Sequence, residues 1–238
     1  MIVRKIVLQN RDVNMFSVMR LSRLYEYLQE VSILDAEQLG AGEKATRDRG
    51  ILWVVVQQRT EIARLPKYGE HVVLSSWPGT CVHVLFPRYY EVKDDRGNVL
   101  VRGSALWALM DAGTRKVIFP ERRNIAVPGE ERSGQAPLPD QVKAQDTLQK
   151  RVFSVPFSWC DMNGHMNNAR YLDLCDDLLV HAEKGIVPMR IECEYRTEAR
   201  LHQQIEAAWN ESESHAYVQL NHERCICRIS LDYAHISR

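Results

Sequence analysis

One order of secondary-structure signals runs through this chain twice, and few architectures accommodate it. In the first half, Leu21, Leu24, Tyr25, Leu28 and Val31 recur at three- and four-residue steps. That spacing predicts a helix over Ser17 to Leu39, stopped by Gly40 and Gly42. β-Rich runs follow at Ile51 to Ile62, His71 to Trp77, Val82 to Val92 and Val99 to Met110, with Asp94-Asp95-Arg96-Gly97-Asn98 as a hairpin loop and a short strand at Lys116 to Phe119. From Pro120 to Lys150 the chain is rich in Pro, Gly and charged residues, which reads as a surface linker. The order then resumes. Arg151 to Trp159 reads as a strand, and Tyr171, Leu174, Cys175, Leu178, Leu179 and Ala182 form the stripe of a helix over Asn168 to Glu183. Further strands are expected at 189–196, 201–210, 216–221 and 224–233.

Local echoes point to an internal repeat. Asp12-Val13-Asn14 precedes the first helix as Asp161-Met162-Asn163 precedes the second. Arg59-Thr60-Glu61 and Arg196-Thr197-Glu198 are each expected on the strand after a helix, and Trp77 and Trp209 close the next strand. A lone amphipathic helix beside several antiparallel strands buries its stripe most economically when the sheet curls around it. Two such units can pair edge to edge. The expectation is an α+β double hot-dog, two antiparallel sheets each wrapped around one long helix. Its N-terminal unit would span 1–120, its linker 121–150 and its C-terminal unit 151–238.

Lys+Arg and Asp+Glu balance at 31 each, so no overall field favours nucleic acid. No apolar run approaches the ~20 residues of a membrane span. The opening MIVRKIVLQNRDVN lacks the apolar core of a signal peptide. Six cysteines show neither a disulfide framework nor zinc-knuckle spacing, which suits reduced thiols in the cytoplasm. No metal or organic cofactor is implied.

The densest polar cluster runs from Ser158 to Tyr171, with Asp161, Asn163 and His165 at two-residue steps, followed by Asn167 and Asn168. It lies between a strand and a helix. Either Asn would cap that helix, and free backbone N–H groups there could stabilise a developing oxyanion. Taken alone, His165 reads as a cap or surface group, Asp161 as a turn residue and Glu198 as an exposed strand carboxylate.

The run Asp161-x-Asn163-x-His165-x-Asn167-Asn168-x-x-Tyr171 resembles the catalytic motif of the plant and bacterial acyl-ACP thioesterases. The resemblance extends to Trp53, Pro66-Lys67-Tyr68-Gly69-Glu70, Ser76-Trp77-Pro78, Gly103-Ser104-Ala105-Leu106-Trp107, Thr114-Arg115 and Glu194-Tyr195-Arg196-Thr197-Glu198. It implies hydrolysis of fatty acyl thioesters of acyl carrier protein, with catalytic residues Asp161, Asn163, His165 and Glu198. Glu198 would be the general base, His165 would share orientation or proton transfer, Asn163 would position water or carbonyl, and Asp161 would hold the other two. Asn167, Asn168, Trp53 and Arg170 are expected to contact substrate. The family often carries Cys after that Glu; here the residue is Ala199, so no Cys nucleophile is expected. Phe16 aligns with His165, which implies one active site, in the C-terminal half, with the N-terminal half shaping the acyl pocket. An acidic carrier protein would meet a basic patch drawn from Arg115, Lys116, Arg122, Arg123, Arg170, Arg190, Arg196 and Arg200. An acyl-CoA thioesterase, a non-catalytic acyl-thioester-binding protein and a dehydratase compete with this reading, and formation of a homodimer stays open.

Overall fold

The computed structural model describes residues 1–120, 125–130 and 135–234. Along the chain lie β1 (Ile2–Val7), α1 (Leu21–Gln38), α2 (Glu43–Thr46), β2 (Ile51–Ile62), β3 (His71–Pro78), β4 (Leu85–Asp94), β5 (Val99–Asp111), β6 (Gln149–Ser154), α3 (Arg170–Leu178), α4 (Val180–Glu183), β7 (Arg190–Tyr195), β8 (Gln204–Glu211), β9 (His215–Asn221) and β10 (Cys225–Asp232). The stripe Leu21, Leu24, Tyr25, Leu28 and Val31 is buried, as its spacing predicts. Gly40, at φ +71°, takes the left-handed conformation that ends α1.

The strands form one antiparallel sheet in the order β1-β3-β4-β5-β2-β7-β10-β9-β8-β6. Among the described residues each half contributes five strands, and the second half repeats the connectivity of the first, with β6 to β10 in the places of β1 to β5. The halves meet where β2 pairs with β7, Gln57 opposite Glu194 and Thr60 opposite Ile191. The expected two sheets are therefore one continuous sheet. Leaving β2 and β7 apart would bare two rows of backbone donors and acceptors. One cluster of buried side chains runs across the joint, from Leu24 and Leu28 of α1 to Leu174 of α3 and Ile229 of β10.

The second helix departs from the expected span of Asn168 to Glu183. It starts at Arg170 and breaks at Leu179, whose backbone is extended. The cause is the carboxylate of Glu211 at the end of β8, which accepts the N–H groups of Val180 and His181 at 2.9 Å each. Those donors would otherwise serve a continuing helix. Among the described residues, no helix is long and apolar enough to cross a membrane.

Part of the expected linker packs closely. Ala136 and Val142 are buried. Asp140 N–H donates to Glu192 on β7, and Arg228 on β10 donates to the Val142 carbonyl. Residues 137–148 thus cross the sheet from β5, where Ser104 donates to the Pro137 carbonyl, to β8, where Leu148 N–H donates to the Trp209 carbonyl. Residues 121–124 and 131–134 fall outside the described residues.

Asp176 on α3 carries a consequence for stability. Burial pushes its carboxyl up to about 7, Asp173 and Asp177 add to the rise, and Arg20 opposes it. The folded state therefore holds this proton more tightly than the unfolded chain does. That contribution is complete below about pH 4 and is lost as pH rises towards 7. Its upper limit is about 4 kcal/mol. Thermal melts should show Asp176→Asn raising Tm at pH 8 and flattening the fall between pH 4 and 7; an unchanged pH profile would reject the assignment.

Candidate active site

The polar cluster folds as a tight turn ahead of α3. Asp161 N–H donates to the His165 carbonyl at 2.9 Å, and Gly164, at φ +77°, lets the chain reverse. The Asp161 side chain accepts the Asn163 N–H at 2.8 Å, which fixes the turn from within. Past the turn, His165 pairs as an isolated bridge with Arg200, and Met166 N–H donates to the Ala199 carbonyl at 2.8 Å. This pairing lays the His165 segment alongside the Glu198 segment.

The consequence is a direct contact between groups 33 positions apart, His165 Nε2 lying 3.0 Å from Glu198 Oε2. The imidazole is nearly buried, at 12% exposure, while the carboxylate keeps 31%. A third group joins them. Arg115 Nη1 donates to Glu198 Oε1 at 3.0 Å, and Nη2 lies 3.4 Å from His165 Nε2. Burial lowers the His165 pKa most; Glu198 and Asp161 raise it, and Arg115 and Arg200 lower it, for a net fall below 6.5. An imidazole in contact with a carboxylate at a water-accessible surface can accept and return a proton.

Two cavities meet here. One, of about 520 Å³, contains Arg115, His165, Asn168 and Glu198. The other, of about 530 Å³, runs between α1 and the sheet past Ile33, Ala36, Leu52, Phe86 and Trp107. Trp53, Asp161 and Asn163 border both. Trp53 is held by its Nε1–H to the Ala41 carbonyl at 2.7 Å and by an edge-on contact with Phe86. Asn167 borders the apolar cavity, yet its side chain accepts the Ala169 N–H at 2.9 Å. Asn167 also accepts the Arg170 N–H through its carbonyl. The Ala169 and Arg170 N–H groups are thus engaged, which removes them from the oxyanion role expected of the helix tip. Arg170 lines the cavity, but its guanidinium ties α1 to α3 through Glu26 and Asp173. Of the basic candidates, Arg115, Arg196 and Arg200 border the catalytic cavity. Arg190 pairs with Asp232 elsewhere, and Arg122 and Arg123 lie outside the described residues. Among the described residues, no cluster of His, Cys, Asp and Glu is disposed to hold a metal ion.

The first half contains the same turn in a different register from the one its sequence suggests. Asn14 N–H donates to the Val18 carbonyl, the Asn14 side chain accepts the Phe16 N–H, and Met19 N–H donates to the Pro66 carbonyl. Asn14 therefore occupies the place of Asp161, Phe16 that of Asn163, Val18 that of His165 and Leu65 that of Glu198. Val18, not Phe16, matches the histidine. Asp12 is instead buried. Burial would raise its carboxyl, but hydrogen bonds from Gln9 N–H, Arg23 and Tyr27 hold it below the usual range. The Arg-Thr-Glu echo fails too: Arg59 to Glu61 lie inside β2, whereas β7 ends at Tyr195 and Glu198 lies beyond it. Sequence reasoning placed Arg115 on a docking patch and missed its contact with the pair. The available signal was Asp111-x-Gly113-Thr114, a turn in which the Asp111 carboxylate accepts the Gly113 and Thr114 N–H groups.

Comparison with known proteins gives a consistent picture. The family model described as the acyl-ACP thioesterase N-terminal domain matches residues 3–121, and that of the C-terminal domain matches residues 142–234. The chain is 24% identical over 190 residues to chloroplastic oleoyl-acyl carrier protein thioesterase 1 of Arabidopsis thaliana, covering 71% of this chain and 52% of that protein. It is 27% identical over 135 residues to a chloroplastic palmitoyl-acyl carrier protein thioesterase of Cuphea hookeriana, covering 52% of this chain and 32% of the relative. These alignments span a third to a half of the length of the curated relatives. The fold matches a crystal structure of an acyl-ACP thioesterase from Bacteroides thetaiotaomicron with TM-score 0.86 at 19% identity, covering 98% of this chain and 97% of that one. It also matches the 12:0-ACP thioesterase from Umbellularia californica with TM-score 0.83 at 16% identity, covering 98% and 96%.

Proposed function

The chain belongs to the acyl-ACP thioesterase family, and from that premise we propose that it hydrolyses fatty acyl thioesters of acyl carrier protein, with water as nucleophile. The carrying observation is the contact of Glu198 with His165 at 3.0 Å, where an apolar cavity meets a polar one. In this reading the acyl chain lies along the cavity beneath α1, and its carbonyl reaches Asn163. Glu198, paired with His165, takes a proton from water as the water oxygen attacks the carbonyl carbon. The Asn163 amide donates to the oxyanion that forms, and Asp161 holds the turn. The C–S bond then breaks, and the proton returns to the departing thiolate. A thiol of pKa ~8.5 is a good leaving group, so little acid assistance is needed.

Catalysis is assigned to the C-terminal half, 151–238, while the N-terminal half, 1–120, supplies acyl-cavity wall and 121–150 connects them. Each half would wrap its strands around its own helix. Cytoplasmic location and assembly as a homodimer belong to the same reading, testable by fractionation and light scattering.

A panel of acyl-ACP and acyl-CoA chain lengths, read by free thiol release, tests the activity. Higher kcat/KM on acyl-ACP supports the reading. A preference for acyl-CoA favours the competing thioesterase, and acyl-thioester binding without thiol release favours a non-catalytic binder. In the same assay, alkylation should leave the chemistry intact. Ala199 follows Glu198, and burial pushes the Cys193 thiol up to about 12, away from the reactive thiolate. An acyl-cysteine intermediate detected by mass would overturn the water mechanism.

A further inference from the structure

We propose that Arg115, delivered by the N-terminal half, is a positioning residue that clamps the Glu198 carboxylate against the His165 imidazole. The inference rests on the hydrolytic reading of this site but goes beyond its four motif residues. Arg115 sits at the end of a turn that leaves β5. The Asp111 carboxylate accepts the Gly113 and Thr114 N–H groups at 3.2 and 2.8 Å, and Thr114 Oγ1 donates to it at 2.9 Å. Arg115 N–H donates to the Asp111 carbonyl at 2.9 Å, and the residue adopts φ +55°, an uncommon conformation for a side chain of its size. A fully hydrogen-bonded turn therefore aims one guanidinium out of the N-terminal half. Its two Nη atoms reach different residues of the C-terminal site, Glu198 Oε1 at 3.0 Å and His165 Nε2 at 3.4 Å.

The fork geometry leaves Glu198 Oε2 turned to the imidazole. His165 is faced by Glu198 and Arg200 from the segment after β7, by Arg115 from the turn after β5 and by Asp161 from its own loop. Arg115 and Arg200 disfavour the imidazolium, and the two carboxylates favour it. A docking role alone would need no contact with the proton-transfer pair. The apparent division between a catalytic half and a wall-forming half is thus bridged at one side chain.

The test compares wild type with Arg115→Gln and Arg115→Lys, each verified by thermal melt. NMR titration of His165 is expected to show its pKa rising by about 0.5 or more in Arg115→Gln and moving less in Arg115→Lys. Turnover of acyl-ACP and of carrier-free acyl-pantetheine should both lose about 10- to 100-fold in kcat in Arg115→Gln, with KM nearly unchanged and partial recovery in Arg115→Lys. An unmoved His165 titration, or a change confined to KM for acyl-ACP, would overturn the proposal. The titration reads the clamp without turnover. Failure of wild type to release thiol would therefore count against the hydrolytic reading and leave the Arg115 arm decisive.

Discussion

His165→Ala and Glu198→Ala are each expected to lower kcat for acyl-ACP hydrolysis by about 10²- to 10⁴-fold, with KM little changed. Both groups sit at the polar end of the cavity, where the reacting carbonyl would lie, while acyl binding draws on the apolar wall. Losing a proton acceptor removes stabilisation that exists only in the transition state, so the loss belongs in kcat. The double variant should be scarcely worse than either single one, because residues acting as a unit are not additive. Folding should survive both changes. Glu198 is 31% exposed and Arg115 is 36% exposed, so the guanidinium left behind stays solvated. Near-wild-type turnover in both single variants would remove the pair from the mechanism. Multiplying losses in the double variant would divide the pair into independent groups.

Some of this was legible in the sequence for physical reasons. The helical period of Leu21 to Val31 and the β-rich runs report burial directly, so α1 and strands β2 to β5 followed from them, whereas β1 was not read and the expected strand at Lys116 to Phe119 is only an isolated bridge of Val117 with Met110. The break at Leu179 could not be read locally. The carboxylate that causes it comes from Glu211, more than thirty residues later. The repeat was visible but aligned two residues out. Asp12-x-Asn14 matches Asp161-x-Asn163 letter for letter, while the backbone equates Asn14 with Asp161. A hydrogen-bonded turn is defined by which N–H meets which carbonyl, and different side chains satisfy the same turn. The meeting of positions 165 and 198 came from resemblance, since nothing in the local spacing of Glu198 marks it. Arg115 shows the limit most clearly: its partners lie 50 and 83 positions away across the joint of the halves.

The second large effect concerns the ion pair beneath α1. Asp35 is 1% exposed and Arg88, on β4, 6% exposed. Arg88 Nη1 lies 2.6 Å from Asp35 Oδ2 and 3.3 Å from Ser76 Oγ, and Asp35 Oδ1 is 3.6 Å from the Met1 amino group. Asp35→Ala would leave a guanidinium that is 6% exposed without its carboxylate, the Ser76 hydroxyl remaining 3.3 Å away. The expected loss is about 3–5 kcal/mol, or roughly 10 °C in Tm for a chain of this size. Asp35→Leu combined with Arg88→Met should recover much of that loss, because the desolvation of two charges disappears along with their attraction. The Met1 amino group would then keep the Glu130 carboxylate, 3.6 Å away, as its partner. Denaturant melts of the single and double variants decide the matter: a single-variant loss under about 1 kcal/mol would mean that the pair behaves as a solvated surface bridge. The same pair has a functional side. Arg88 borders the apolar cavity, and the bridge fixes α1 against β4, which form two of its walls. If the double variant restores stability while changing which acyl chains are hydrolysed, the ion pair is retained for the shape and polarity of the cavity rather than for the stability of the fold.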